Sequence, residues 1–158
     1  MKIIGKFILL TVVAISLYNC DKDENTSSHI AGEWRLTDIH TEDGISIIFG
    51  DTSLYEFHGT AYNMVTTITE NPNEFSSAGT YTYELTSPFT QTQTVSAFPG
   101  TGTWSINGDT FIQTFAGNTT ESEIIELNDS TLRLKQHIDT DITGIRNIAT
   151  IYQTFERN

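Results

Sequence analysis

From Ile30 to the end of the chain, apolar and polar side chains alternate with a period of two residues. Six segments show this alternation and are rich in β-branched and aromatic residues, the composition typical of strands. They are Trp34–Ile39, Tyr62–Ile68, Tyr81–Leu85, Phe111–Phe115, Leu132–Ile138 and Ile148–Thr154. No segment after position 20 has the apolar spacing of an amphipathic helix. The pattern therefore predicts an all-β domain.

Turn-forming residues separate these segments and predict where the chain reverses. The predicted turns are Glu42-Asp43-Gly44, Phe49-Gly50-Asp51, His58-Gly59, Asn71-Pro72-Asn73, Asn107-Gly108-Asp109, Gly117-Asn118 and Asn128-Asp129-Ser130. Asn107-Gly108 is the strongest hairpin signal, because both residues tolerate the positive φ of a type I′ turn. It predicts a hairpin between Gly102–Ile106 and Thr110–Phe115. Asn128-Asp129 predicts another between Ser122–Leu127 and Thr131–Ile138.

Two segments have ambiguous patterns. Ile45–Phe49 is either one helical turn or a short strand over a barrel mouth, and Pro88–Pro99 is either an edge strand or a long loop. Successive strands joined by hairpins predict an antiparallel up-and-down meander. Closing it into a barrel of about eight strands would remove the exposed edges, and an open two-sheet sandwich is the alternative.

The first 19 residues have a different pattern, typical of an export signal. Lys2 and Lys6 precede an uncharged apolar run, Phe7–Leu17, which is shorter than the about 20 residues that cross a bilayer. The chain's one cysteine, Cys20, follows directly. The stretch Ser16–Cys20 resembles the lipobox of bacterial lipoproteins, with Asn19 in place of the usual small residue. This resemblance implies cleavage before Cys20 and acyl chains, such as palmitate, on that cysteine.

The segment after Cys20 contains no apolar side chain up to Ser28, so we expect residues 20–29 to form an acidic tether. Within it, Lys22-Asp23-Glu24 resembles the signal that sends Bacteroidetes lipoproteins to the outer face of the outer membrane. In enteric bacteria Asp21, directly after the cysteine, would instead indicate inner-membrane retention. We favour the first interpretation, which predicts a protein at the cell surface.

Charge narrows the range of partners. The formal charge is −12, and removing residues 1–19 would take away Lys2 and Lys6 and no acid, leaving −14. A surface this acidic repels nucleic acid phosphates and anionic lipid head groups, so neither is an expected partner.

Gly32-Glu33-Trp34 opens the first predicted strand, and Gly-x-Trp at this place resembles the lipocalins. Gly102–Asp109 and the closing Tyr152–Arg157 are similar to the lipocalin-like domains of Bacteroidetes lipoproteins. The resemblance implies a barrel over residues 30–158 whose closed end is plugged by Trp34 beneath an arginine. Arg157 is the first choice for that arginine and Arg146 the second, and a guanidinium over an indole face adds about 0.5–2 kcal/mol.

No catalytic or metal-binding pattern stands out. His29, His40, His58 and His137 lack the spacing of zinc ligands. The acid pairs Asp139/Asp141 and Glu121/Glu123 match calcium ligands or glycosidase carboxylates, but solvated strand faces explain them better. We therefore expect neither an enzyme nor a cofactor or metal site.

The sequence predicts a lipid-anchored protein whose barrel binds a small apolar or amphipathic ligand, such as an apolar fluorophore or a fatty acid. The alternative is a cell-surface interaction or inhibitor module with a filled barrel. Candidate ligand contacts are the rings of Tyr62, Tyr81, Tyr83, Phe111 and Phe115, with smaller or polar neighbours at Thr66, Gln113, Thr150 and Thr154.

Overall fold

The computed structural model describes residues 29–86, 90–97 and 100–158, which form nine antiparallel strands. In chain order they are β1 (Gly32–Ile48), β2 (Asp51–Thr69), β3 (Glu74–Thr86), β4 (Thr90–Ser96), β5 (Thr101–Asn107), β6 (Thr110–Phe115), β7 (Asn118–Leu127), β8 (Thr131–Ile142) and β9 (Ile145–Arg157). In this part of the chain no helix is long and apolar enough to cross a bilayer.

The predicted signal segment 1–19 lies outside the described residues. So do Cys20 and the three residues of the predicted export signal, Lys22, Asp23 and Glu24.

Eight of the strands close into a barrel in the order β1-β2-β3-β5-β6-β7-β8-β9, with β9 paired back to β1. The closing pair runs nearly the full length of both strands, from Trp34 opposite Arg157 to Ile48 opposite Ile145. This confirms the predicted all-β barrel of about eight strands and excludes the open sandwich.

The ninth strand, β4, pairs only with β3 and extends the wall outside the ring. Along one edge of β3, Thr80–Thr86 pairs with β4 and Glu74–Ser76 pairs with β5. The described part of Pro88–Pro99 thus contains an edge strand. Ile45–Ile48 is likewise strand, since it forms the last part of β1.

Two of the predicted turns are instead β-bulges inside long strands. At Asp43-Gly44 the register of β1 shifts against both neighbours, and Asp43 has a φ of 57°. At Gly59 the register of β2 shifts against β3. A bulge uses the same positive φ or missing side chain as a turn, so the same residue types mark both.

The β5–β6 hairpin is confirmed, but its predicted type I′ turn is wrong. Asn107 is the last residue of β5 and pairs with Thr110, which leaves Gly108 and Asp109 as the central residues. Only Gly108, with a φ of 59°, has positive φ, and this is the type II′ pattern.

The other predicted turns lie between strands, at Phe49-Gly50, Asn71–Asn73, Gly117 and Asn128–Ser130. A further turn, which the sequence pattern did not indicate, joins β8 to β9 at Thr143-Gly144, both with positive φ. It makes these two strands longer than predicted.

The two ends of the barrel are unlike. The closed end holds the β7–β8 turn and the first described residues, and the mouth holds the β1–β2 and β8–β9 turns. Buried apolar side chains fill the lower half, toward the closed end. They include Ile30, Trp34, Leu36, Ile39, Ile68, Trp104, Phe111, Leu132, Leu134 and Phe155. Cavities remain above this core, toward the mouth, and also among the core side chains.

Candidate ligand-binding cavity

The half of the barrel nearer the mouth contains a cavity of about 490 Å³. It is lined by Ser46, Ile48, Ser53, Tyr55, Phe57, Tyr81, Tyr83, Leu85, Val95, Ile138, Thr140, Asn147 and Ile151. On each strand these are alternate residues, because side chains of a strand alternate between its two faces. The volume falls within the about 300–1,000 Å³ of small-molecule sites.

Aromatic rings from β2 and β3 form one wall of this mouth cavity. Phe57 and Tyr83 have ring centroids 5.3 Å apart, and Tyr81 lies 6.1 Å from Tyr83. The Tyr83 hydroxyl donates to Gln93 Oε1 at 2.9 Å, which holds the ring in place. This aromatic wall offers flat apolar surface suited to a ring or a polyene.

The opposite wall is aliphatic and polar. Strands β1, β8 and β9 contribute Ile138 and Ile151 together with Ser46, Thr140 and Asn147. The hydroxyl and amide groups provide hydrogen-bond donors and acceptors without charge. The mouth cavity therefore suits a molecule with an apolar face and a few polar groups.

A second, inner cavity of about 220 Å³ lies below the first, and Tyr81 borders both. Its wall is mostly core side chains such as Trp34, Phe111 and Leu134, but it also includes polar groups. These are Thr66, Ser77, Gln113 and Gln153. The hydroxyls of Thr66 and Ser77 bond each other at 2.8 Å.

A third cavity of about 400 Å³ lies at the side of the barrel, between β4 and the β6–β7 hairpin. It exists because β6 pairs with β5, while β4 pairs only with β3, so these neighbours are not bonded to each other. The side cavity shares Met64, Phe75, Ser77 and Gln113 with the inner cavity. The three spaces therefore adjoin one another.

The cavity walls are uncharged. None of the described residues that line the three cavities is Asp, Glu, Lys, Arg or His. Burial raises the pKa of the Tyr55 phenol, and burial followed by the neighbouring Tyr83 raises the pKa of Tyr81. Both phenols are therefore neutral at physiological pH.

The closed end is sealed by Trp34 and Arg157. The Trp34 side chain is fully buried, and its Nε1 donates to the Ile30 carbonyl at 2.7 Å. Arg157 Cζ lies 4.2 Å from the indole centroid. Its guanidinium donates to the carbonyls of His29, Ala31 and Asp129. A side chain on Gly32 would collide with this guanidinium, so the glycine makes the approach of Arg157 sterically feasible.

A family model described as a lipocalin-like domain matches residues 30–134. The chain belongs to the lipocalin-like domain family. It is also similar to the S-type phycobiliprotein lyase CPES from Guillardia theta, with 12% sequence identity and a TM-score of 0.39. That alignment covers 85% of this chain and 92% of the lyase. No curated protein sequence matches the chain.

The predicted contact residues lie in different parts of this lipocalin-like barrel. Tyr81 and Tyr83 line the mouth cavity, Phe111 lines the inner cavity, and Phe115 lines the side cavity. Phe111 is fully buried and belongs to the core that packs around Trp34. The rings therefore do not form one cluster, and only two of them lie near the mouth.

Tyr62 packs against the core and is absent from the linings of these three cavities. Its hydroxyl accepts a hydrogen bond from the Ile39 amide at 3.2 Å, in the stretch where β1 and β2 are out of register. The ring occupies space that a side chain on Gly59 would fill. Tyr62 thus replaces a missing backbone bond of the ladder.

Thr66 and Gln113 face inward, whereas Thr150 and Thr154 do not. Strand β9 directs Asn147, Ile151 and Gln153 to the interior. Since side chains alternate, Thr150 and Thr154 lie on the outer face, which corrects their assignment to an inward row.

The sequence pattern did not indicate Tyr55 and Phe57, which complete the aromatic wall. The alternation Ser53-Tyr55-Phe57 was the available signal, but turn residues on both sides, at Gly50 and Gly59, concealed it. Because Gly59 is a bulge, β2 continues through this segment and brings both rings opposite β3.

Several of the side chains that were candidates for metal binding, acid–base catalysis or the closed-end arginine form pairs on the outer face of the barrel. Arg146, the second choice for the closed end, instead forms a two-pronged ion pair with Asp139 at 2.8 and 2.6 Å. Glu123 pairs with Lys135 at 3.1 Å, and His40 contacts Asp38 at 2.6 Å. In the described ranges no three His, Cys, Asp or Glu residues are grouped as metal ligands.

An apolar rim borders the mouth. It consists of Ile48, Phe49, Ile142 and Ile145, on the adjoining β1–β2 and β8–β9 turns. The Phe49 side chain is 85% exposed and Ile142 69% exposed. The Phe49 amide donates to the Gly144 carbonyl at 3.1 Å, which joins the two turns.

Proposed function

We propose that this lipocalin-like protein binds a small apolar or amphipathic molecule in the mouth cavity. The observation that carries the proposal is a cavity of about 490 Å³ with an aromatic wall facing a polar, uncharged one. Mostly apolar cavities with a few placed polar groups are the usual form of small-molecule sites. The proposed role is binding rather than catalysis, and the described lining of this cavity, which includes no Asp, Glu, Lys, Arg, His or Cys side chain, supports it.

The test is a fluorescence titration of the purified protein with the apolar dye N-phenyl-1-naphthylamine. We expect saturable uptake at one site. Ile151→Asp places a charge on the cavity wall and should weaken uptake at least tenfold, because an unpaired charge there disfavours an apolar ligand. Ile148→Asp is the matched control, three residues away on the outer face of β9. Equal loss in both variants, or no saturable uptake, contradicts the proposal.

A second candidate is the interaction or inhibitor module at the cell surface. The apolar rim favours it, because exposed apolar patches mark contact sites for other molecules. The cavities favour ligand binding instead, since the module was expected to have a filled barrel. A titration without saturable uptake would make the interaction module the better candidate.

We also propose that the protein is anchored to a membrane by lipid on Cys20. The charged start, the apolar run and the single cysteine support this, and two or three acyl chains at about 0.8 kcal/mol per buried CH₂ give firm binding. Cys20→Ser should yield a protein that no longer partitions into detergent. Membrane fractionation equal to that of the wild type would contradict lipidation.

The proposed address is the outward face of the outer membrane, supported by Lys22-Asp23-Glu24. In the native host, replacing the three residues by alanine should protect the protein from protease added to intact cells. The control variant carries Glu, Asp and Lys in that order at positions 22–24. It keeps the composition and charge of the segment and changes only the order of the lysine and the acids. Equal cleavage of the alanine variant and the wild type would show that the segment is not the signal.

A further inference from the structure

We propose that the ligand is an uncharged amphiphile with a hydrogen-bonding group, such as an alcohol, ketone or ester, at the end that enters the barrel first. This excludes fatty acids in their ionised form. The inference rests on the proposed function and narrows the ligand class of the same site.

The described residues that line the three cavities carry no charge. The chain has 28 charged residues, 8 basic and 20 acidic, yet none lines the three cavities among the described residues. The sequence at 87–90 and at 98–99 contains no ionisable side chain either. A bound carboxylate would be desolvated without a counter-charge, and this raises its pKa until it binds as the neutral acid.

Among residues 29–86, 90–97 and 100–158, every lysine and arginine side chain has an acidic or backbone partner, so none is left to hold an anionic head group at the mouth. The pairs are Arg35–Glu156, Arg133–Glu126, Lys135–Glu123 and Arg146–Asp139. The fifth cation, Arg157, is bound to backbone carbonyls and the Trp34 ring at the closed end.

Charge near the mouth is also unfavourable for an anion. The turns that surround it carry Asp51 and Asp141, and the nearest basic residue, Arg146, is neutralised by Asp139. An ionised acid lying tail-first in the barrel would therefore place its head group among acids.

Two side-chain amides in the inner cavity can bind a polar group of the ligand. Gln113 on β6 and Gln153 on β9 both line the inner cavity. Within the described residues, neither side-chain amide has a hydrogen-bond partner, whereas Thr66 and Ser77 satisfy each other. An amide offers two donors and an acceptor, which match a hydroxyl or carbonyl group. A plain hydrocarbon tail in this space would leave both amides unbonded, at a cost in affinity.

The experiment compares two fluorescent probes with the same polyene chain, cis-parinaric acid and the corresponding alcohol. At pH 8 we expect the alcohol to bind at least tenfold more tightly. Affinity for the acid should rise about tenfold per unit as pH falls toward the ligand's own pKa, because only the neutral form enters. Affinity for the alcohol should stay constant over the same range.

Variants separate the head-group contact from the cavity itself. Gln153→Leu and, independently, Gln113→Leu should weaken binding of the alcohol several-fold. Neither variant should weaken the hydrocarbon diphenylhexatriene, which should bind somewhat more tightly once an unbonded amide is removed. Thr154→Val, next along β9 and facing outward, is the control and should change neither. Melting temperatures establish that each variant is folded, and the pH comparison on the wild type needs no variant.

The outcomes of these titrations separate the uncharged-ligand inference from the proposed binding function. Equal affinity for acid and alcohol at pH 8, without pH dependence, would overturn the uncharged-ligand inference and leave the binding function standing. Unchanged alcohol affinity in both glutamine variants would overturn the inner head-group contact. Failure of every probe to bind saturably would overturn the proposed function as well.

Discussion

At the scale of single residues, the closed end of the barrel depends on two side chains, Trp34 and Arg157, and on a glycine that makes room for them. Gly32 has a φ of 146° and no Cβ, so Arg157 can lie against it. Arg157 then covers the ring of Trp34 and binds the carbonyls of Ala31 and Asp129. The arginine thus holds the start of β1 and the β7–β8 turn to the plug.

Trp34→Ala should lower the free energy of unfolding by about 3–5 kcal/mol, the usual cost of deleting a large buried aromatic side chain. Trp34→Phe is the matched control. It keeps a ring under Arg157 and loses only volume and the bond to Ile30, so it should cost less. Denaturant unfolding measures both values. An alanine variant with a wild-type midpoint would show that Trp34 is not a core plug.

The partly buried Tyr55 and Tyr81 give stability a defined pH dependence. Burial raises the pKa of Tyr55 and of Tyr81 above the ordinary 10.0. At a pH between the ordinary tyrosine pKa and the raised pKa of the folded protein, the folded protein keeps phenol protons that the unfolded chain has released. The free energy of unfolding therefore falls as pH rises above about 10. At neutral pH the effect is absent.

Absorbance of the phenolate at 295 nm, followed alongside unfolding, tests this prediction. Tyr81→Phe should remove one late-titrating phenol and reduce the alkaline loss of stability. A wild type in which every phenol titrates near pH 10 while the protein remains folded would contradict it.

The roles of Trp34 and Arg157 were indicated by a motif, whereas the role of Tyr62 was inferred from alternation alone. Trp34 and Arg157 stood out because the Gly-x-Trp resemblance assigned them roles at the closed end. Tyr62 looked like a cavity residue from alternation alone, but its hydroxyl completes a backbone bond at a bulge. Alternation identifies two faces and does not say which inward ring lies in a wall, a core or a cavity.

At the scale of strands, bulges decide how long each element is. The predicted turns at Asp43-Gly44 and His58-Gly59 would have divided β1 and β2, which are 17 and 19 residues long. Local sequence cannot separate the two outcomes, since both need the same backbone freedom. The neighbouring strands decide, because β9 and β3 continue past these positions and supply partners.

Gly79 in strand β3 and Gly50 in the β1–β2 turn form a matched pair of sites. Alanine at each of them tests how closely the backbone of β2 approaches Gly79. Their φ values are nearly equal, 94° and 96°, so alanine at either costs about 1–2 kcal/mol for the left-handed backbone. At Gly50 the new Cβ has no neighbour within 4 Å, whereas at Gly79 it would collide with the Asn63 carbonyl of β2. Gly79→Ala should therefore cost about 1–3 kcal/mol more than Gly50→Ala.

Thermal or denaturant unfolding of the two variants gives the difference directly. Since the φ contribution cancels, the remainder reports how closely β2 and β3 are packed at this point. Equal destabilisation would show that the strands separate freely to admit a side chain, which contradicts the tight pairing of Met64 with Gly79.

At the scale of the molecule, closure of the barrel was the step that sequence left open. Hairpins between neighbours follow from local turn residues, but the β1–β9 pairing joins residues more than 95 positions apart. No local pattern encodes such a pairing, so the barrel was predicted from the cost of exposed strand edges and the two-sheet sandwich stayed open as the alternative. The same holds for the side cavity, which results from β3 sharing one edge between β4 and β5.

Closure also determines which end of the barrel the chain from Cys20 enters. His29, nine positions after Cys20, lies at the closed end, where its carbonyl binds Arg157 and its ring contacts Asp129. The mouth with Phe49 is at the opposite end. The 12 residues of β8, at about 3.3 Å each and tilted by about 40°, separate the two ends by roughly 28 Å. If Cys20 carries the anchor, the mouth faces away from the anchoring bilayer.

Single cysteines labelled with a fluorophore test this orientation, because lipid would occupy the thiol of Cys20 and leave the introduced one as the reactive group. Asp129→Cys reports the closed end and Phe49→Cys the mouth, and both side chains are exposed. In vesicles containing nitroxide-labelled phospholipid, the label at 129 should be quenched strongly and the label at 49 weakly. Stronger quenching at 49 would mean that the apolar rim, rather than the closed end, lies against the bilayer.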